Sequence, residues 1–255
     1  ALATISLNLP IYAGGALQLV LAMLLTAIMP EHGFTPTPRE ERSSWRKWFG
    51  TFAQGVAVVR GRPMLWSILG ITFFFGLFSE AWDRLWQAHL INTIGLPPLF
   101  EPVVWIGILT GIEAIFGAAL LEVLVRRLDT SSVRQMTRLL FILTALMIIA
   151  QLLFAQSSSL LLAVVMFYGF TLARGLIDPI YSTWSNQHID SDVRATVLSM
   201  QSQTDAIGQI AGGPPLGRLG QISLRLALSA SALTLSPALL LLGRVARNET
   251  RNAGQ

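Results

Sequence analysis

The stretch MLWSILGITFFFGLFS, residues 64–79, holds sixteen residues and no charged side chain. A helix rises about 1.5 Å per residue, so such a run crosses most of a hydrocarbon layer about 30 Å thick. The continuation EAWDRLWQAHL, residues 80–90, then introduces Glu80, Asp83 and Arg84. The apolar run predicts a transmembrane helix. The three charges mark either its end at the membrane interface or a group inside a helix bundle.

The composition extends this interpretation to the whole chain. Hydrophobic residues make up 53% and charged residues 13% of the sequence, against the roughly 25% charged residues of globular proteins. The apolar residues form long blocks, which indicates a polytopic helical membrane protein. Basic loops explain the net charge of +4, so we expect no nucleic-acid partner. The absence of cysteine excludes disulfides, thiolate metal sites and cysteine nucleophiles.

Seven membrane spans are predicted, at residues 9–29, 64–90, 103–125, 139–154, 160–182, 195–216 and 223–243. They divide the chain into a first span (1–29), a Pro-rich charged loop (30–63), a six-helix bundle (64–243) and a tail (244–255). Within the loop, SSWRKWFGTFAQGVAVV predicts an amphipathic helix on the membrane surface. Because the chain starts with Ala and has no signal peptide, we expect it to be a fragment or one half of a larger protein.

The distribution of Lys and Arg predicts the orientation. Fourteen basic residues fall in the alternate loops and the tail that would share one side, and only Arg218 and Arg225 fall on the other. Cytoplasmic loops carry the excess of basic residues. We therefore expect a multi-pass protein of the cell membrane with the N-terminus of the chain outside and the C-terminus in the cytoplasm.

Two carboxylates are predicted at mid-membrane depth. Glu113 lies in the third span and Asp205 in the sixth, each about ten residues from either end of its span. A charge at that depth costs at least about 2.5 kcal/mol, which favours a cavity-facing, functional role. Gln201 and Gln209 lie four residues before and after Asp205, on the same helix face. These four residues are candidates for substrate contact or proton coupling.

The fifth span adds Arg174 and Asp178, which lie four residues apart and are expected to pair. Arg174 is a further candidate for substrate contact or proton coupling. An unpaired Arg174 would favour an anionic solute, whereas pairing with Asp178 would satisfy its charge. The substrate therefore stays open at this point.

The charges of the second span have two interpretations. By depth they lie near the outer interface, where Trp82 and Trp86 would form an aromatic belt. Alternatively, Glu80 and Arg84 pair across one helical turn, with Asp83 on the same side of the helix. We favour an outer gate or entrance group made of these ionic side chains.

The pattern across spans has a period of three helices. After the first span, two spans with charges alternate with one apolar span. Charged helices are expected to surround a water-filled path, and the apolar first, fourth and seventh spans to face lipid. Glycine pairs four residues apart predict close helix contacts, and two adjacent prolines predict a kink or break in the sixth span. These residues are Gly107, Gly111, Gly208, Gly212, Gly213, Pro214, Pro215 and Gly217.

At this point the chain resembles the C-terminal half of the major facilitator superfamily (MFS) of transporters. The resemblance covers the family's sixth helix, its central cytoplasmic loop and its helices seven to twelve. The segment WSNQHIDSDVRATVLSM, which contains Asn186 and Arg194, is similar to the family's junction between helices ten and eleven. Gly213 and Pro214, followed by Gly217, resemble a glycine–proline motif of antiporters. The loop VRRLDTSSVRQ lacks the glycines of the family's gating loop.

The resemblance implies a secondary active transporter that moves a small solute by alternating access, coupled to protons. It implies a six-helix bundle as one half, with the N-terminal half of the same transporter as its partner. Glu113, Asp205 and Arg174 would contact substrate or protons on this half. A chain that begins inside the family's sixth helix is not expected to transport alone. No enzyme activity, cofactor or metal is implied.

Two other classes of membrane protein fit the sequence less well. A heptahelical receptor or sensor also has seven spans with its N-terminus outside. However, a retinal protein needs a lysine in its last helix, and Lys47 is the only lysine. An intramembrane hydrolase needs Ser–His or metal-ligand spacing, which His32, His89 and His188 do not provide. The transporter is therefore the favoured function and the receptor the alternative.

Overall fold

The computed structural model of the chain describes residues 8–29, 59–127, 132–191 and 193–252. These ranges contain helices and turns but no β-strand, which confirms the predicted all-α class for the described part. The helices are α1 (Leu9–Ile28), α2 (Pro63–His89), α3 (Pro102–Arg127), α4 (Val133–Gln156), α5 (Leu160–Gln187), α6 (Arg194–Ile222), α7 (Leu224–Thr234) and α8 (Ser236–Asn252). A π-helical turn, Leu90–Ile94, continues α2.

Six of the described segments are long and apolar enough to cross a membrane: Leu9–Ile28, Pro63–Ile94, Pro102–Leu124, Val133–Gln156, Leu160–Gln187 and Leu224–Asn248. Their length and composition indicate a multi-pass membrane protein. Helix α6, which corresponds to the predicted sixth span, is not among them. Gln201, Gln203, Asp205 and Gln209 make that helix more polar than the others.

Local capping and proline chemistry explain where the helices differ from the predicted spans. Helix α4 begins at Val133, ahead of the predicted start at residue 139, because the Ser132 hydroxyl caps it by accepting a hydrogen bond from the Gln135 amide. The seventh span is divided at Leu235 into α7 and α8. Pro237 has no amide proton to continue the α7 hydrogen bonding. The predicted surface helix lies outside the described residues, except for its last residue.

Helix α6 runs without interruption through Pro214 and Pro215, so the break expected there does not occur. Each proline removes one backbone hydrogen bond. Packing on either side of the prolines holds the helix in place. One turn before them Gly212 is buried against α2, and just after them Leu216 is only 5% exposed.

Helix α2 lies at the centre of the bundle, where it packs against α6, α7 and α8. Its contact with α6 depends on Gly76 of α2 and on Gly208 and Gly212 of α6. A Cβ atom at Gly208 would overlap the Phe73 carbonyl oxygen, and one at Gly212 would overlap the Leu77 carbonyl oxygen. The two backbones therefore approach as closely as small residues allow, a packing mode common between membrane helices.

The other glycine pairs do not serve helix contact within the described residues. A Cβ atom at Gly107, Gly111 or Gly217 would meet no atom within 4 Å. A Cβ atom at Gly213 would lie at ordinary contact distance, 3.5 Å, from Glu80 Oε2. The close approach expected at Gly107 and Gly111 is therefore absent from the described structure, in which α3 packs mainly against α5.

Helix α4 buries one face in the bundle, and the other face carries exposed apolar side chains such as Ile142 and Ile149, so its predicted contact with lipid stays a prediction for that face. Half of its most apolar window is buried, against 6% for α3. The reason is that α4 packs against α5, α7 and α8 together. Its Gln151 amide nitrogen donates to the Leu228 carbonyl (2.9 Å) and to Ser231 Oγ (3.2 Å) of α7. Ser231 in turn donates to the Phe78 carbonyl (2.7 Å), which connects α4 and α7 to α2.

Candidate functional site

An ion pair of partly exposed side chains joins α2 to α5. Arg174 donates from Nη1 to Asp83 Oδ1 at 2.5 Å and from Nη2 to Asp83 Oδ2 at 2.9 Å, the two-bond geometry of a strong pair. Arg174 lies fourteen residues after Leu160 and thirteen before Gln187, the ends of α5. Roughly 20 Å of helix therefore extends to either side of it. The pair lies near half the height of the bundle.

The expected pairing of Arg174 with Asp178 is wrong. The salt bridge of Arg174 is with Asp83, and Asp178 interacts with the guanidinium electrostatically. A carboxylate that follows the basic residue by four positions is the weaker order on a helix. Asp83 faces the guanidinium from another helix and accepts two hydrogen bonds. Asp83 therefore binds a residue of α5, whereas Glu80 and Arg84, grouped with it in the predicted outer gate, pair with each other.

We call the space beside this pair the aromatic cavity. Its volume is about 330 Å³. Its lining residues come from α2, α3 and α5: Trp82, Trp86, Thr110, Glu113, Phe167, Thr171, Arg174, Gly175 and Asp178. Three residues predicted from sequence, Glu113, Arg174 and Asp178, therefore meet in one cavity.

The aromatic wall of this cavity is mostly buried. Trp82 and Trp86 are 3% and 7% exposed, and their rings stack with an interplanar angle of 16°. The Phe167 ring centroid lies 4.8 Å from that of Trp86. Burial of both rings against neighbouring helices is the opposite of the outward-facing rings that an interfacial belt needs. Both tryptophans lie inside the bundle.

A second space, which we call the polar cavity, lies between α2 and α6. It measures about 610 Å³ and is lined by Glu80, Arg84, Ala206, Gln209, Ile210, Gly213, Pro214 and Gly217. Arg84 Nε donates to Glu80 Oε2 at 2.6 Å, the pairing expected from their spacing. The ionic pair of α2 and the glycine–proline motif of α6 therefore line the same space.

Asp205 lines neither the aromatic cavity nor the polar cavity. Gln209 Nε2 donates to Asp205 Oδ2 at 2.7 Å, and the Asp205 backbone faces Gly76. The Asp205 charge also interacts with those of Arg174 and Asp178. Glu113 and Asp205, predicted together as the central carboxylates, thus do not share a cavity.

Gln201 is buried on the same side of α6, next to the Tyr181 hydroxyl. That hydroxyl donates to the Ile68 carbonyl at 2.7 Å and lies 2.9 Å from Thr72 Oγ1. Gln201 therefore belongs to a structural contact between α2, α5 and α6. Gln201 lies eight residues before Gln209 along α6 and lines neither cavity.

The junction that carries the family resemblance lies at the end of the bundle away from the polar cavity. Arg194 is exposed in the first turn of α6. The side-chain oxygen of Asn186 is buried and has no hydrogen-bond partner among the described residues. Nearby, Arg62 Nη1 donates to Asp190 Oδ2 at 2.6 Å and ties the start of α2 to this loop.

The sequence analysis did not select Phe167 and Thr171 as site residues. Together with Arg174 and Asp178 they occur at positions i, i+4, i+7 and i+11, which define one face of a helix. That spacing indicates from the sequence alone that the four side chains share a face. It was overlooked because Phe167 lies in an otherwise uniformly apolar stretch, where aromatic residues usually pack in the core.

Among the described residues, no group of three or more His, Cys, Asp or Glu side chains is arranged to hold a metal ion. No protein-family model, curated protein or solved structure matches the chain. The fold and the site together define a helical multi-pass membrane protein with an interhelical ion pair beside an aromatic cavity.

Proposed function

We propose that the chain is part of a secondary active transporter of the MFS type, which moves a small solute by alternating access coupled to protons. The observation that carries the proposal is the placement of Glu113, Arg174 and Asp178 around one cavity of a membrane-embedded bundle. Ionisable side chains are costly within membrane helices. Where they occur, they mark substrate or ion pathways by default.

Glu113 is the best candidate for the proton carrier. It lines the aromatic cavity, and no hydrogen bond or salt bridge joins its carboxylate to another described residue. Asp and Glu side chains form proton relays in pumps and transporters. A carboxylate without a fixed partner is free to exchange its proton with solute or water. Asp205 has a weaker case, because Gln209 already donates to it.

The two cavities on different sides of α2 support a moving-bundle mechanism. The aromatic cavity lies between α2, α3 and α5, and the polar cavity between α2 and α6. In the proposed mechanism this bundle rocks against a second six-helix half, so that the solute site opens to one side at a time. The close backbone contact of α2 with α6 makes those helices move as one unit.

The proposed location is the cell membrane, with the start of α1 outside and the end of α8 in the cytoplasm. This orientation counts α6, whose 29 residues are long enough to cross a bilayer, as a seventh crossing. The positive-inside rule supports this orientation. Two contacts join loops that are expected on the same side: Arg62 with Asp190 at the cytoplasmic end, and Arg225 Nη2 with the Ser157 carbonyl (3.3 Å) at the outer end.

Single-cysteine labelling tests the orientation, because the chain has no cysteine of its own. Ser158 and Ser191 are both exposed and lie in turns at opposite ends of α5. In intact cells, a membrane-impermeant maleimide should label Ser158→Cys, and Ser191→Cys only after permeabilisation. The reverse pattern would overturn the orientation. Labelling of both variants in intact cells would contradict a cell-membrane location with sealed loops.

Solute-driven proton flux tests the transport mechanism. The full-length protein is reconstituted in liposomes with a pH-sensitive dye, and chemically different solutes are added. We expect an active solute to move protons with the wild type and much less with Glu113→Gln or Asp205→Asn. Glu122→Gln is the matched control, since Glu122 is an exposed carboxylate on the same helix as Glu113 and pairs with Arg126. Undiminished coupling in both test variants would refute the proposal.

A further inference from the structure

The aromatic cavity carries an excess of negative charge. Its one cationic side chain, Arg174, is already bound through two hydrogen bonds to Asp83. Glu113 and Asp178 also line the cavity, and no salt bridge joins either of them to a described residue. The pairing of Arg174 with Asp83 thus offsets the attraction for anions. Two further carboxylates line the cavity, of which Asp178 also interacts electrostatically with Arg174.

The uncharged part of the wall is aromatic. Trp82, Trp86 and Phe167 come together there, with ring centroids 4.8–6.4 Å apart. The faces of such rings attract cations within about 6 Å, most strongly for tryptophan. They also provide apolar surface for the body of a solute. Negative charge and aromatic rings in one cavity both favour a positively charged solute with an apolar body.

We propose that the aromatic cavity binds an organic cation, with its positive charge towards Glu113 and Asp178 and its apolar body against Trp82, Trp86 and Phe167. This inference names the substrate class of the proposed transporter and rests on that function. The cavity volume of about 330 Å³ accommodates a small aromatic ammonium compound. The sequence alone left an anion open, because Arg174 had no assigned partner outside its own helix.

Benzyltrimethylammonium is the test probe, since it combines a fixed positive charge with one aromatic ring. Neopentylbenzene has the same shape with carbon in place of nitrogen, and benzylsulfonate has the opposite charge. Binding of each to the purified full-length protein is measured in detergent by equilibrium dialysis. We expect the cation to bind at least tenfold more tightly than either analogue, a difference of about 1.4 kcal/mol.

The carboxylate variants localise the effect. Glu113→Gln and Asp178→Asn should each weaken binding of the cation about five- to tenfold and leave binding of neopentylbenzene unchanged. The control Glu122→Gln should change neither, because Glu122 lies outside the cavity. Equal binding of all three probes, or cation binding that is indifferent to both variants, would overturn the inference.

Binding and transport fail independently in this design. Cation binding that depends on Glu113 and Asp178, without solute-driven proton flux, supports the inference and counts against the proposed transport. Proton flux driven only by anionic or neutral solutes, with no preference for the cation in binding, supports transport and overturns the inference.

Discussion

Replacement of Gly208 by alanine should destabilise the protein, whereas the same change at Gly217 should not. Both glycines lie in α6. The added methyl group at Gly208 would overlap the Phe73 carbonyl oxygen of α2 and lie 2.8 Å from the Leu77 amide nitrogen. At Gly217 it would meet no atom within 4 Å. Backbone atoms cannot rotate away as a flexible side chain can, so the two helices have to separate.

The magnitudes follow from two opposing terms. Overpacking of a close contact costs about 1–3 kcal/mol. Alanine in place of a helical glycine stabilises by about 0.5–1 kcal/mol. We expect a net loss of about 1–2 kcal/mol for Gly208→Ala and a small gain for Gly217→Ala. With about 2–4 °C per kcal/mol for a chain of this size, the melting temperature should fall by about 2–8 °C at Gly208 and rise by about 1–4 °C at Gly217.

Thermal unfolding in detergent, followed by tryptophan fluorescence, measures this difference. The chain has seven tryptophans, and Trp82, Trp86 and Trp184 are buried reporters of the bundle. Gly212→Ala should behave like Gly208→Ala, because its methyl group would overlap the Leu77 carbonyl oxygen. A melting temperature of Gly208→Ala at or above that of the wild type would refute the close α2–α6 contact.

Three further outcomes are expected from the same unfolding assay. Asp83→Asn should lower the free energy of unfolding by about 1–2 kcal/mol, between the values for exposed and buried pairs. Arg174→Gln should cost less in the Asp83→Asn variant than in the wild type. Strictly additive costs in this double-mutant cycle would exclude coupling between the two side chains. Ser231→Ala should lower the free energy of unfolding by about 1–2 kcal/mol, because it removes one of the two acceptors of Gln151 Nε2 and the hydrogen bond to the Phe78 carbonyl of α2. An unchanged melting temperature would contradict this role. Asp190→Asn should cost less than about 1 kcal/mol because its salt bridge is exposed; a larger loss would show a structural role for that loop.

The helices were largely predictable because their signals are local. The apolar blocks that indicated α1, α2 and α3 have the length that a bilayer requires, and their predicted ends lie within four residues of the observed ones. Both ends of α4 and the C-terminal end of α5 were placed too far inwards, because helix continues into polar sequence beyond the apolar block. The continuation of α6 through Pro214 and Pro215 depends on its packing against α2, which no local sequence pattern indicates.

In the site, too, contacts within one helix were predictable and contacts between helices were not. The Glu80–Arg84 pair was predictable, because spacing by four places both side chains on one helix face. The pair Asp83–Arg174 joins residues 91 positions apart, and no spacing rule connects them. The alternative that placed Trp82 and Trp86 in an interfacial belt came from the depth of residues in one helix, without the helices that cover it.

The sequence by itself determined that the chain is helical and that its helices suit a membrane. It also determined which ionisable side chains lie within apolar helices, where a charge is costly. Only the tertiary structure decided which carboxylate binds Arg174. That choice sets the charge of the aromatic cavity, because Asp83 on α2 accepts two hydrogen bonds from the guanidinium and leaves Glu113 and Asp178 without a salt bridge among the described residues. Periodicity reports which residues share a face of one helix. The sign of the charge inside a cavity depends on which faces of different helices meet.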